Sequence, residues 1–161
     1  MIISHALRFV YIGPPKTAST TMHAFLSQPL LFDDESDVNT IDIKEQHKAD
    51  VPPECEGYFM FATVREPAAR LDSLWRHCRG EAERLGLHPV LTCEEFVEWR
   101  RTCNKPFFAE DQEYYLKQAR IDQVVRVERL REDVERLPFV TPLVGEIERP
   151  KWLNRNRWWV T

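Results

Sequence analysis

Phe9-Val-Tyr-Ile-Gly-Pro-Pro-Lys-Thr-Ala-Ser-Thr-Thr-Met22 decides how this sequence is read. From Arg8 to Ile12 the chain is rich in β-branched and aromatic residues and predicts a short strand. Gly13-Pro14-Pro15 ends it, since prolines neither donate to a strand ladder nor continue a helix interior. From Thr17 onward the chemistry changes. Thr17, Ser19 and Thr20 are helix-capping types, and Met22, Phe25 and Leu26 recur at helical spacing. The unit is strand, tight loop, helix. Amides in a helix's first turn lack intrahelical partners and carry the positive end of its dipole, so an anion fits there. Lys16 supplies a full charge, and Thr17, Ser19, Thr20 and Thr21 supply hydroxyls. The plain alternative is a capped helix start with a surface lysine.

A nucleoside-triphosphatase loop requires glycine immediately before its lysine. Pro15 stands there and has no amide hydrogen to offer a phosphate. No apolar strand ending in a magnesium-binding aspartate follows. ATP or GTP hydrolysis is therefore disfavoured.

Outward from this unit, the pattern repeats. Tyr58-Phe-Met-Phe-Ala-Thr-Val64 is continuously apolar apart from its threonine, as a parallel strand covered on both faces should be. Arg65-Glu66-Pro67 stops it, and Pro67 suits the first turn of a helix through Leu71, Leu74, Trp75 and Cys78. Phe32 to Asn39 reads as an acidic loop, Thr40 to Ile43 as a short strand, and Gln46 to Gly57 as irregular or briefly helical. Cys93 to Thr102, capped by Thr92, reads as a helix, as does Gln112 to Gln118. Gln123 to Val127 then predicts a strand and Leu130 to Leu137 a helix. Alternating strands and helices give an α/β fold: one domain over residues 1–161, with a central parallel sheet of about four or five strands flanked by helices. Ligands in such sheets bind at the carboxyl ends of the strands.

Composition narrows the classes. An apolar share of 43% with 30% charged residues excludes a disordered chain. The net charge of −4 invites neither nucleic acid nor an anionic membrane, so any basic site must be a local cluster. Cys55, Cys78, Cys93 and Cys103 lack metal-ligand spacing and read as reduced thiols. Met1 to Ile12 has no signal-peptide pattern, and no run approaches the roughly 18 apolar residues of a membrane span. A cytoplasmic protein is the expectation.

Phe9 to Met22 closely resembles the 5′-phosphosulfate loop of sulfotransferases, particularly the carbohydrate (Golgi-type and bacterial) branch. Tyr58-Phe-Met-Phe-Ala-Thr-Val-Arg-Glu-Pro-Ala-Ala-Arg-Leu-Asp-Ser-Leu-Trp75 resembles that branch's 3′-phosphate segment, where Arg-Asp/Glu/Asn-Pro precedes Arg-Leu-x-Ser. The stretch Gln112 to Leu116, the run Asp122 to Asp133 and Leu153-Asn154-Arg155 are similar to later family stretches, in family order. Ala18-Ser19 stand where many members have glycine, and the chain is short for the family.

The resemblance implies the donor 3′-phosphoadenosine 5′-phosphosulfate (PAPS), leaving the bisphosphate PAP as product. It implies that Lys16, Thr17, Ala18, Ser19, Thr20 and Thr21 hold the 5′-phosphosulfate, with Lys16 catalytic, and that Arg65 and Ser73 hold the 3′-phosphate. It places His47 as the base for an acceptor hydroxyl, with Glu45 in reserve and His23 behind it. Arg70 reads as a structural ion-pair partner, and Arg126 and Glu128 as buttresses of the sheet edge. Trp152, Trp158 and Trp159 read as core cover or a subunit contact before a sugar platform. The expected acceptor is a carbohydrate or other small hydroxylated molecule, and no metal is required. A donor-binding module without turnover and a small kinase with a similar loop are the competing readings.

Overall fold

The computed structural model describes residues 1–26, 38–40, 51–84, 91–117 and 119–140. Its sheet has five strands: β1 (Ile2–Ser4), β2 (Phe9–Ile12), β3 (Val38–Thr40), β4 (Phe59–Val64) and β5 (Gln123–Arg126), in spatial order β3-β1-β2-β4-β5. β2, β4 and β5 run parallel, with Phe9 opposite Phe59 and Phe61 opposite Gln123. β1 pairs antiparallel with both β2 and β3. The sheet is thus α/β as expected, but mixed. Only His5 to Arg8 join β1 to β2, too few residues for the crossover that a parallel pair needs. Val38 and Asn39, expected in a loop, gain an edge ladder on β1; residues 41–43 lie outside the described residues.

Among the described residues six α-helices accompany the sheet: α1 (Ser19–Leu26), α2 (Pro67–Arg84), α3 (Cys93–Thr102), α4 (Pro106–Ala109), α5 (Gln112–Leu116) and α6 (Leu130–Glu135). The α3 start is a full capping box. Thr92 Oγ1 accepts from the Glu95 amide, and the Glu95 carboxylate accepts from the Thr92 amide. α4 was not expected; Pro106 opens its single turn.

Strand alternation sends apolar residues to both faces, which explains why β2 and β4 read as unbroken apolar runs. Phe9, Tyr11 and Phe61 pack with Ile2, Val125 and the α1 residues Met22, Phe25 and Leu26 on one face. Val10, Ile12 and Ala62 pack with Met1, Ile3 and Cys55 on the other. Phe61 lies at the centre of the first layer, against Phe9, Tyr11, Phe59 and Phe139. No helix among the described residues is long and apolar enough to cross a membrane. Phe61→Ala should therefore lower unfolding stability by about 3–5 kcal/mol, measurable by urea denaturation.

Candidate functional site

Ile12, Val64 and Arg126 end the three parallel strands at one edge of the sheet, so the segments that follow them share that edge. The first, Gly13 to Ala18, turns sharply into α1. Lys16 and Ala18 take φ of 66° and 63°, the left-handed region that costs an L-residue roughly 1–2 kcal/mol. Gly13 serves by its lack of a side chain: a Cβ there would sit 2.5 Å from the Tyr11 hydroxyl and 3.0 Å from Ser19 Cβ. The first intrahelical bond of α1 runs from the Met22 amide to the Ala18 carbonyl at 3.0 Å. Helix geometry therefore gives the amides of Ser19, Thr20 and Thr21 no intrahelical acceptor.

Beneath the loop runs a chain of buried hydroxyls. Thr17 Oγ1 donates to the Pro14 carbonyl at 2.7 Å, and the Thr17 amide also points there at 3.3 Å. A hydroxyl has one hydrogen, so the 2.9 Å contact between Thr17 and Thr63 requires Thr63 to donate. The 2.9 Å contact between Tyr11 and Thr63 then requires Tyr11 to donate. Burial pushes the Tyr11 phenol pKa well up, which keeps that proton in place. Tyr11, Thr63 and Thr17 are all fully buried. The Thr17 hydroxyl is accordingly committed to holding the loop from below.

Arg70, only 3% exposed, fastens the loop from the side. Its Nε donates to the Pro15 carbonyl at 3.0 Å, and both terminal nitrogens donate to the Glu110 carbonyl at 3.2 Å. The expected structural role stands, but these hydrogen bonds go to main-chain carbonyls. Because a trans peptide sets C=O and N–H in opposite directions, the Lys16 amide faces away from Arg70.

The second loop is pinned as firmly. Gln112 Oε1 accepts from the Arg65 amide and Gln112 Nε2 donates to the Arg65 carbonyl, both at 2.7 Å. Glu66 Oε2 accepts from the Ala69 amide, capping α2 ahead of Pro67, and these helix amides lower the Glu66 pKa. Glu128 Oε1 accepts from the Glu66 amide at 2.8 Å, a buttress between adjacent strand ends. Arg126 donates its amide to the buried Asp133 carboxylate at 2.9 Å.

Lys16 and Arg65 thus meet at one edge. Lys16 is half-buried; desolvation, then the Arg65 charge, lower its pKa from the ordinary lysine value. Arg70, Ser73 and His77 share a stripe of α2 about 60° wide at 3.6 residues per turn, and Arg70 fixes that stripe against the loop. His77 also senses Lys16: after burial, the lysine's charge is the next cause lowering its pKa. His23 instead sits edge-on to Tyr11, ring centroids 6.3 Å apart. His47, Glu45 and the tail residues Trp152, Trp158 and Trp159 lie outside the described residues.

Residues 1–156 match the family model described as the sulfotransferase family. The chain belongs to the sulfotransferase family. Among curated proteins and solved structures, none matches it. Within this sulfotransferase-family fold, sequence reasoning missed the parts played by Thr63 and Gln112. Thr63 had a signal, as the single hydroxyl in an apolar strand, in phase with Phe59 and Phe61. Gln112 lay in a recognised stretch, but its reach to Arg65 depends on tertiary packing.

Two outcomes follow for the loop. Thr63→Val, which keeps the shape but removes the central hydroxyl, should cost about 1–3 kcal/mol in thermal or urea unfolding. Ala18→Val places a β-branched residue in the left-handed region and should lower the melting temperature, whereas Ala18→Gly should not; calorimetry separates them.

Proposed function

We propose that this sulfotransferase-family chain binds PAPS and transfers its sulfuryl group to a hydroxyl of a carbohydrate or other small hydroxylated molecule. The observation carrying the reading is that the segments holding Lys16 and Arg65 follow the carboxyl ends of the adjacent parallel strands β2 and β4, with the Lys16 loop tied to α2 through Arg70. Two cations held together by buried scaffolding repel each other, and a polyanion seated between them removes that cost.

We assign the 5′-phosphosulfate to Lys16 and to the loop and first-turn groups of Ala18, Ser19, Thr20 and Thr21. Arg65 and Ser73 take the 3′-phosphate, Arg65 by its bidentate guanidinium. Thr17 enters as support, since its hydroxyl hydrogen serves the Pro14 carbonyl. As the sulfur–oxygen bond to the nucleotide breaks, negative charge grows on the bridging oxygen, and Lys16 is the cation we place beside it. The acceptor's proton passes to a base, assigned by resemblance to His47 with Glu45 in reserve. The donor's sulfuryl group is already activated, so the step calls for positioning and cations and for no metal. A cytoplasmic location belongs to the same proposal.

A thermal-shift titration with 3′,5′-adenosine bisphosphate (PAP) tests the donor site. At about 100 times its dissociation constant the nucleotide should add roughly 2.7 kcal/mol of stability. Lys16→Ala and Arg65→Ala should each weaken binding roughly 10-fold or more, the worth of a hydrogen bond to a charged group. Equal stabilisation by magnesium–ATP, or no shift with millimolar PAP, would defeat the reading.

A further inference from the structure

We propose that Gln112 is a positioning residue for the donor nucleotide, setting the backbone of Arg65 so that its guanidinium meets the 3′-phosphate. Gln112 thereby helps the site choose a 3′-phosphorylated nucleotide over one without that group. The inference rests on the donor-site reading and extends it to a residue whose part in binding the family resemblance did not assign.

Its basis is what the sheet leaves open beyond β4. The last β2 residue in register is Ile12, opposite Ala62, and the last β5 residue is Arg126, opposite Val64. β5 then enters the tight turn Val127–Arg129, and β2 gives way to the lysine loop. Arg65 is therefore the first residue after β4 with no strand residue paired on either side, yet its main-chain N–H and C=O still need partners. Gln112, at the start of α5, supplies both. A carboxamide offers an acceptor and a donor side by side, as the main chain of a neighbouring strand would. Oε1 accepts from the Arg65 amide and Nε2 donates to the Arg65 carbonyl, both at 2.7 Å. Gripping both polar groups of one residue fixes the peptide planes on either side of its Cα. The direction in which the Arg65 side chain leaves the backbone is then fixed as well.

The clamp is itself referenced to the lysine loop. Two residues before Gln112, the Glu110 carbonyl receives both terminal nitrogens of Arg70, whose Nε holds the Pro15 carbonyl beside Lys16. Tyr115 of α5 donates to the Pro106 carbonyl at 2.7 Å, which ties α5 to α4. Lys16 and Arg65 are thus joined through hydrogen bonds at Pro15, Arg70, Glu110 and Gln112, and that linkage sets the spacing between the groups that take the two ends of the donor. A bidentate arginine contact depends on such alignment, and fixing it before binding lowers the cost of ordering the side chain on the ligand.

Isothermal titration calorimetry with PAP and with adenosine 5′-monophosphate, which lacks the 3′-phosphate, tests the role. Gln112→Met keeps the unbranched shape of the side chain but neither hydrogen bond. It should weaken PAP roughly fivefold, the worth of a net hydrogen bond, and leave the monophosphate unchanged. In an Arg65→Ala background the same substitution should weaken PAP no further, because its effect passes through Arg65. Gln112→Asn, one methylene too short to span both bonds, should shift PAP in the same direction by less, and it carries the test if the methionine variant does not fold. Unchanged PAP affinity in these variants, equal weakening of both nucleotides, or an additive loss in the double variant would overturn the role of Gln112 and leave the donor site standing. Failure of the unsubstituted protein to bind PAP would overturn both.

Discussion

The buried guanidinium of Arg70 is the constraint around which this site is built. Taking a full charge out of water costs several kcal/mol unless its hydrogens find partners. Here it donates to the carbonyls of Pro15 and Glu110. Those carbonyls belong to the lysine loop and to the segment between α4 and α5, while the arginine belongs to α2. None of the three segments can shift alone without stranding either the charge or an acceptor. Since α2 begins two residues after Arg65, the same bonds that fix the lysine loop also set the position of the second cation.

That rigidity makes sense of the strain beside it. Lys16 and Ala18 occupy a backbone region that glycine enters freely and other residues enter at a cost. The hydroxyl chain from Tyr11 through Thr63 and Thr17 to Pro14 holds the loop from below, and Arg70 holds it from the side. The expense falls on folding instead of on binding. The loop ahead of α1 is thereby set by the fold itself, so its backbone needs no ordering on binding.

The charges divide into two populations. Most arginines on the outer helix faces neutralise locally, as in Arg76 with Asp72, Arg79 with Glu83, Arg101 with Glu98 and Arg131 with Glu135. Exposed pairs at this spacing contribute little to stability and keep the surface balanced. Lys16 and Arg65 join no such salt bridge among the described residues, and each lies in the segment that follows a parallel strand. A protein with net charge −4 can therefore carry a basic site, because its cations are gathered by topology and not by composition.

Much of this was legible in the sequence. The apolar runs of β2 and β4 announced strands covered on both faces, Thr92 announced the start of α3, and Pro67 announced the start of α2. Such features are local: periodicity and capping report which face a segment buries and where it begins. β1 escaped because its three residues are too few to show a period, and α4 because it is a single turn. The strand, the loop and the capping residues from Phe9 to Thr21, and the strand that stops before Arg65, were readable for the same local reason. The adjacency of the segments that carry Lys16 and Arg65 and the grip of Gln112 on Arg65 were not. Those depend on strand register and helix packing between distant segments, which no local pattern encodes and only the folded chain decides.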